Sequence, residues 1–217
     1  MAERVKIGLY GGTFDPVHRG HVELLQHTYE ELSPEKIIVI PAGHPYQKER
    51  KGREITPGEH RLAMLRAVLS GAPYPGEIST VEMEANGPSY TADTLDYFRE
   101  LYPEAEFYWL CGSDILFSIT SWWRHREVLA KMILYVIPRG NDDLAQIRRQ
   151  KAELEENEGA RVVIAGFRGP EISSSGIREL LRSGDAEGSE AELRALLPRP
   201  VLEYIRQNGL YRDRQDA

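Results

Sequence analysis

The chain has 217 residues, 41% of them hydrophobic, which suits one well-packed α/β domain or two small ones and not a disordered chain. A formal net charge of -7, from 27 basic and 34 acidic residues, argues against a general nucleic-acid binder, although a few local donors can still hold an anionic small substrate. No apolar run approaches the roughly 20 residues of a membrane span, and MAERVKIGLY lacks the zones of a signal peptide, so no membrane partner and a cytoplasmic location are expected.

Apolar runs alternate with helical patterns along the chain. VKIGLY (5–10) reads as a buried strand. HVELLQHTYEEL (21–32) reads as a helix with Val22, Leu25, Tyr29 and Leu32 on one face. KIIVIP (36–41) is a strand, and HRLAMLRAVL (60–69) a helix with Leu62, Leu65 and Leu69 aligned. EISTVEME (77–84) reads as a weaker strand, with Val81 and Met83 in period-two register. TADTLDYFRELY (91–102) is a helix, EFYWLCG (106–112) a strand, REVLAK (126–131) a short helix and MILYVIP (132–138) a strand. The charged run 142–157 reads as a solvent-facing helix, RVVIAG (161–166) as the last strand, and 173–184 and 198–209 as helices, each stopped by a glycine. Such alternation predicts a doubly wound parallel sheet covered on both faces, in one domain over 1–217 with 172–217 as its C-terminal helical part. The single cysteine, Cys111, excludes an intramolecular disulfide, and within FYWLCG it reads as a small buried side chain rather than a nucleophile.

The seam between the first strand and helix reads GGTFDPVHRGH, Gly11 to His21. Ligands of open α/β sheets sit beyond the carboxyl ends of the strands. Glycines there let backbone approach a ligand, and the helix start offers free N–H groups and a positive dipole end to an anion. His18 and His21, one helical turn apart, can both donate to phosphate oxygens. The stretch is neither the dinucleotide fingerprint nor a P-loop. Two plainer readings stand beside it: a simple Gly-Gly turn, and a metal held by the two histidines with Asp15 as the nearest third ligand.

GGTFDPVHRGH resembles the G-x-F-x-P-x-H-x-G-H signature of nucleotidyltransferases that move a nucleoside monophosphate out of a nucleoside triphosphate, and ISSSGIR (172–178) resembles that superfamily's second signature. Physically, Ser173, Ser174 and Ser175 are N-cap candidates for the helix that follows, and with Arg178 in its first turn they form a second anion site. Alone, that stretch would read as a plain serine cap. Paired with HRGH, it can clamp a triphosphate from the other side.

Further stretches narrow the resemblance to the bacterial nicotinate mononucleotide adenylyltransferases. PSYTADTL (88–95) is similar to that family's P-S-Y-T-A-x-T-L, and CGSDILFSITSWW (111–123) to its G-x-D followed by an aromatic pair. PAGHPYQK (41–48) keeps Pro41, Pro45 and Lys48 of the family's loop, with Gln47 where the family usually has histidine. Pro138-Arg139-Gly140 stands where the family often reads R-P-G, and LPRPVLEYIRQNGLY (197–211) resembles its closing stretch, read here as packing.

The resemblance implies a Rossmann-like nucleotidyltransferase fold with C-terminal helices, and transfer of the adenylyl group of ATP to nicotinate mononucleotide, giving deamido-NAD and pyrophosphate. It places His18, His21, Ser175 and Arg178 on the phosphates as the catalytic set. ATP would lie against Gly11, Gly12, Thr13, Phe14, Gly112, Asp114, Ile172 and Ser174. Nicotinate mononucleotide would meet Lys48, Thr91, Trp122, Trp123 and Arg139, with Trp122 stacked on its ring. Mg²⁺ would arrive on the ATP phosphates rather than in a protein cage. A related enzyme with nicotinamide mononucleotide or phosphopantetheine as acceptor, a nucleotide sensor without turnover and a metal module built on HRGH are the competing readings. Homo-oligomer formation is left open by the sequence.

Overall fold

The computed structural model describes residues 4–43, 55–85, 87–183 and 188–212. Six parallel strands form one sheet: β1 (Lys6–Gly12), β2 (Lys36–Pro41), β3 (Gly76–Ile78), β4 (Glu106–Gly112), β5 (Ile133–Ile137) and β6 (Val162–Ile164), in the order β3-β2-β1-β4-β5-β6. This is the doubly wound topology expected. The strands are continuously apolar because both faces are covered, and the two-residue pleat sorts each strand between two cores. Ile7, Leu9, Ile38, Phe107, Trp109 and Leu134 point to one face. Tyr10, Ile37, Val39, Tyr108, Leu110 and Tyr135 point to the other.

The first face is closed by α4 (Thr91–Leu101), α5 (Ser113–Ser118), α6 (His125–Lys131) and α7 (Leu144–Glu158), through Leu95, Phe98, Leu116, Val128, Ile147 and Leu154. The second face is closed by α1 (Arg19–Leu32), α2 (Gly58–Leu69), α8 (Ser174–Ser183), α9 (Gly188–Leu196) and α10 (Arg199–Gln207). A four-residue helix, α3 (Val81–Glu84), lies between β3 and α4.

Three expectations change. The strand expected over 77–84 stops at Ile78, after three ladder positions, and Val81–Glu84 turns into α3. Val-Glu-Met-Glu holds good helix formers, and two apolar residues spaced by two cannot fix a strand at a sheet edge. The inner face of α1 is led by Leu24, Leu25 and Thr28 rather than by Val22. The short helices α5 and α9 carry no long apolar period and were not expected from the sequence.

The chain runs from β1 outward through β2 to β3, then crosses back to β4 on the other side of β1. Strand order reverses between β1 and β4, so a crevice opens beyond their ends, at Gly12 and Gly112. Among the described residues no helix is long and apolar enough to cross a membrane.

Candidate active site

After β1 the chain enters a loop whose residues are buried rather than solvated. Thr13, Phe14, Asp15, Val17 and His18 all lie inside. Phe14 adopts the left-handed region at φ 52°, which swings its ring back over Gly12. A Cβ at residue 12 would stand 2.8 Å from that ring, so glycine is required there. The Phe14 ring meets Tyr10 and His21 edge-on, with centroids 5.4 and 5.1 Å away.

The histidine pair is rigid. His18 is the N-cap of α1, and its backbone N–H donates to Nδ1 of His21 at 3.1 Å. An imidazole that accepts at Nδ1 carries its proton on Nε2 when neutral, so His21 has a fixed donor. The two rings stack at 3.6 Å between centroids. His18 is only 5% exposed; burial first, then the charge of Arg139, holds its pKa down to about 4. It is therefore neutral at neutral pH and offers a ring dipole rather than a charge. The structure gives the metal reading no support among the described residues: no three His, Cys, Asp or Glu side chains converge, and the Asp15 carboxylate accepts from the Tyr211 hydroxyl.

Two distant segments, α2 and the start of α8, grip the loop from behind. Arg61 of α2, 2% exposed, donates from Nη1 to the carbonyls of Thr13 (2.9 Å) and Ala42 (2.8 Å) and from Nε to that of Thr56 (3.0 Å). Ser174 at the start of α8 donates to the Pro16 carbonyl at 3.0 Å. Arg178 donates to the Asp15 carbonyl at 2.6 Å and to Ser175 Oγ at 3.1 Å. Ser173 supplies the helix cap, accepting the Gly176 N–H at 3.1 Å. Thus the two sequence signatures are hydrogen-bonded to each other.

Two adjoining cavities open in front of the loop. The smaller, about 220 Å³, is lined by His18, His21, Ile172, Ser174, Ser175 and Arg139 among others. The larger, about 530 Å³, runs from Gly11, Gly12, Thr13 and Phe14 past Gly112 and Asp114 to Thr91 and Trp122. His21, Arg139, Ser174 and Tyr10 belong to both walls, so they stand at the boundary between the cavities. At Gly112 a Cβ would fall 2.5 Å from Asp114 Oδ1 and 3.0 Å from Arg139 Nη2, so the missing side chain lets those groups converge on the crevice.

Some residues stand elsewhere than the sequence suggested. Arg178 lines neither cavity; its guanidinium ties α8 to the loop. Trp123 is 51% exposed and outside both cavities, packed on Tyr90 with the Arg124 guanidinium over its ring. Trp122 faces inward, edge-on to Trp109. Thr91 is the first residue of α4, capped by Tyr90, and lines the larger cavity as expected of a site residue. Lys48 and Gln47 lie outside the described residues. Cys111 is buried, and burial pushes its thiol far above the usual range, leaving it protonated.

Other site residues were missed. Glu82 lines the larger cavity, where burial raises its pKa and the Thr94 hydroxyl donates to it at 2.8 Å. Arg61 carried a signal, an arginine amid the apolar run HRLAML, but no sequence period says that it turns inward.

The cytidylyltransferase-like family model matches residues 9–180. A protein from Dehalococcoides mccartyi named "Probable nicotinate-nucleotide adenylyltransferase" is 36% identical over 95% of this chain and 97% of its own. One of the same name from Saccharopolyspora erythraea is 35% identical over 100% of this chain and 94% of its own. A solved structure of Plasmodium falciparum nicotinic acid mononucleotide adenylyltransferase complexed with NaAD superposes with a TM-score of 0.77 at 21% identity, covering 95% of this chain and 97% of that one, a likeness of fold. The chain belongs to the cytidylyltransferase-like nucleotidyltransferases, within the family of the nicotinate-nucleotide adenylyltransferases.

Proposed function

We propose that the chain transfers the adenylyl group of ATP to nicotinate mononucleotide, releasing pyrophosphate and forming deamido-NAD, as a single nucleotidyltransferase unit of NAD biosynthesis in the cytoplasm. The observation that carries this reading is the pair of adjoining cavities with His21 and Arg139 on the walls of both. Two nucleotides whose phosphates must meet require sites that share such a boundary.

A mononucleotide phosphate is already an anion at neutral pH and needs no general base. Catalysis then consists of alignment and charge stabilisation. In this reading His21 Nε2 and the His18 ring hold the α- and β-phosphate oxygens, and Arg139 offsets charge where the two phosphates approach. Ser175 takes the leaving pyrophosphate, while Arg178 fixes both Ser175 and the loop. Asp114 lies near the ATP ribose, and Trp122 and the backbone at Thr91 hold the pyridine carboxylate end. Lys48 contacts the mononucleotide in this reading, whereas Trp123, exposed on Tyr90 and outside both cavities, does not. Mg²⁺ would be carried on the triphosphate, as a hard cation that keeps several waters and binds substrate phosphates. When bound it neutralises phosphate charge.

The test is pyrophosphate release from ATP and Mg²⁺ with nicotinate mononucleotide, nicotinamide mononucleotide, phosphopantetheine and glycerol 3-phosphate assayed side by side. Turnover confined to nicotinate mononucleotide is expected. Turnover with a different acceptor alone overturns the substrate assignment.

A further inference from the structure

The closing stretch of the sequence reads as packing, yet one of its atoms reaches the site loop. After α10 the chain turns through Gly209 (φ 60°) and Tyr211 (φ 64°). The Leu210 N–H closes that turn on the Ile205 carbonyl at 3.0 Å. The left-handed conformation of Tyr211 is uncommon for a bulky residue, and it aims the ring at the back of the loop after β1. There the phenol donates to Asp15 Oδ1 at 2.8 Å, across 196 residues of sequence.

Asp15 is the hub of that loop. It is 1% exposed, its carbonyl accepts from Arg178, and its carboxylate lies 3.9 Å from the same guanidinium. A carboxylate buried this deeply depends on its donors for orientation. Three residues later comes His18, and the intervening Pro16 carbonyl is held by Ser174. Any shift of Asp15 therefore moves both signatures. Burial, and then the neighbouring Asp15 charge, raise the Tyr211 pKa, so the phenol remains a donor across working pH.

We propose that Tyr211 is a positioning residue for adenylyl transfer: through Asp15 its hydroxyl holds the loop that sets His18 and His21 against Ser174 and Ser175. The inference rests on the proposed function for its kinetic arm only. The ring of Tyr211 packs with the second core and serves stability, whereas the hydroxyl serves alignment. Tyr211→Phe separates the two.

The experiment compares the native protein with Tyr211→Phe below the unfolding transition of both. Steady-state kinetics with ATP and nicotinate mononucleotide are expected to show kcat reduced by about tenfold or more, the scale of one hydrogen bond to a charged group. Both KM values stay within about twofold, because the loss falls on alignment in the transition state rather than on binding. In parallel, the imidazole ¹H–¹⁵N signals of His18 and His21 shift in the variant while those of His27 and His125 hold still. Native kcat per folded molecule in Tyr211→Phe, or unmoved His18 and His21 signals, overturns the inference. Absence of turnover in the native protein indicts the proposed function instead, and the ring signals then decide the role of Tyr211 on their own.

Discussion

The His18 backbone N–H and the His21 ring are locked together, donor to Nδ1 at 3.1 Å, with the two imidazoles stacked at 3.6 Å. This one hydrogen bond sets the His21 tautomer, with the proton on Nε2, in a residue that lines both cavities. His21→Ala is therefore expected to lower kcat by ~10²–10³, the usual loss for one preorganised donor. Circular dichroism should stay native, since His21 is only partly buried and α1 keeps its remaining contacts. Near-native turnover in this variant would remove the phosphate role.

Trp122 lines the larger cavity and packs edge-on to Trp109, whereas Trp123 lies outside on Tyr90. Trp122→Ala is expected to raise the KM for nicotinate mononucleotide by at least tenfold and that for ATP by less than threefold, the signature of a lost aromatic face for one substrate (about 1.5 kcal/mol or more). Equal increases in both would make the tryptophan a structural element. Trp123→Ala serves as the comparison.

The sequence made the sheet legible because its strands are buried on both faces: KIIVIP and EFYWLCG coincide with β2 and β4 to the residue. The two signatures were legible as partners, and the fold joins them through the Ser174–Pro16 and Arg178–Asp15 hydrogen bonds. What stayed hidden is reach. Arg61 grips Thr13 from 48 residues away, and Tyr211 grips Asp15 from 196. No local period encodes such contacts. Likewise, the sequence places Arg178 beside the serines of its own signature but does not show that its guanidinium also reaches the Asp15 carbonyl, 163 residues away.

Arg61 spans the carbonyls of Thr13, Ala42 and Thr56, so it joins the loop after β1 to both shoulders of the 44–54 segment. Arg61→Met keeps much of the side-chain volume and removes every donor. It leaves these carbonyls, and that of Gly43 at 3.4 Å from Nη2, to find other partners, at about 1 kcal/mol each for the three shorter bonds. The expected result is a loss of about 3 kcal/mol in urea unfolding, with kcat reduced in the molecules that remain folded. A variant as stable as the native protein would show that these carbonyls are satisfied without the arginine.

His18 predicts how stability responds to acid. Burial and Arg139 hold its folded pKa at about 4, against 6.5 for a free imidazole. Between those values the unfolded chain takes up a proton that the folded chain refuses, so protons favour unfolding and stability falls as pH drops through this window. Above 6.5 both states are neutral and this contribution is constant; below about 4 both are charged and the loss is complete. At about 1.36 kcal/mol per pKa unit the whole effect is on the order of 3 kcal/mol. Urea unfolding at pH 7 and pH 4.5 measures it. His18→Asn, which cannot titrate, is expected to lose markedly less stability over the same interval than the native protein. Equal losses in the two proteins would assign the acid sensitivity to other groups and leave His18 no special place in it.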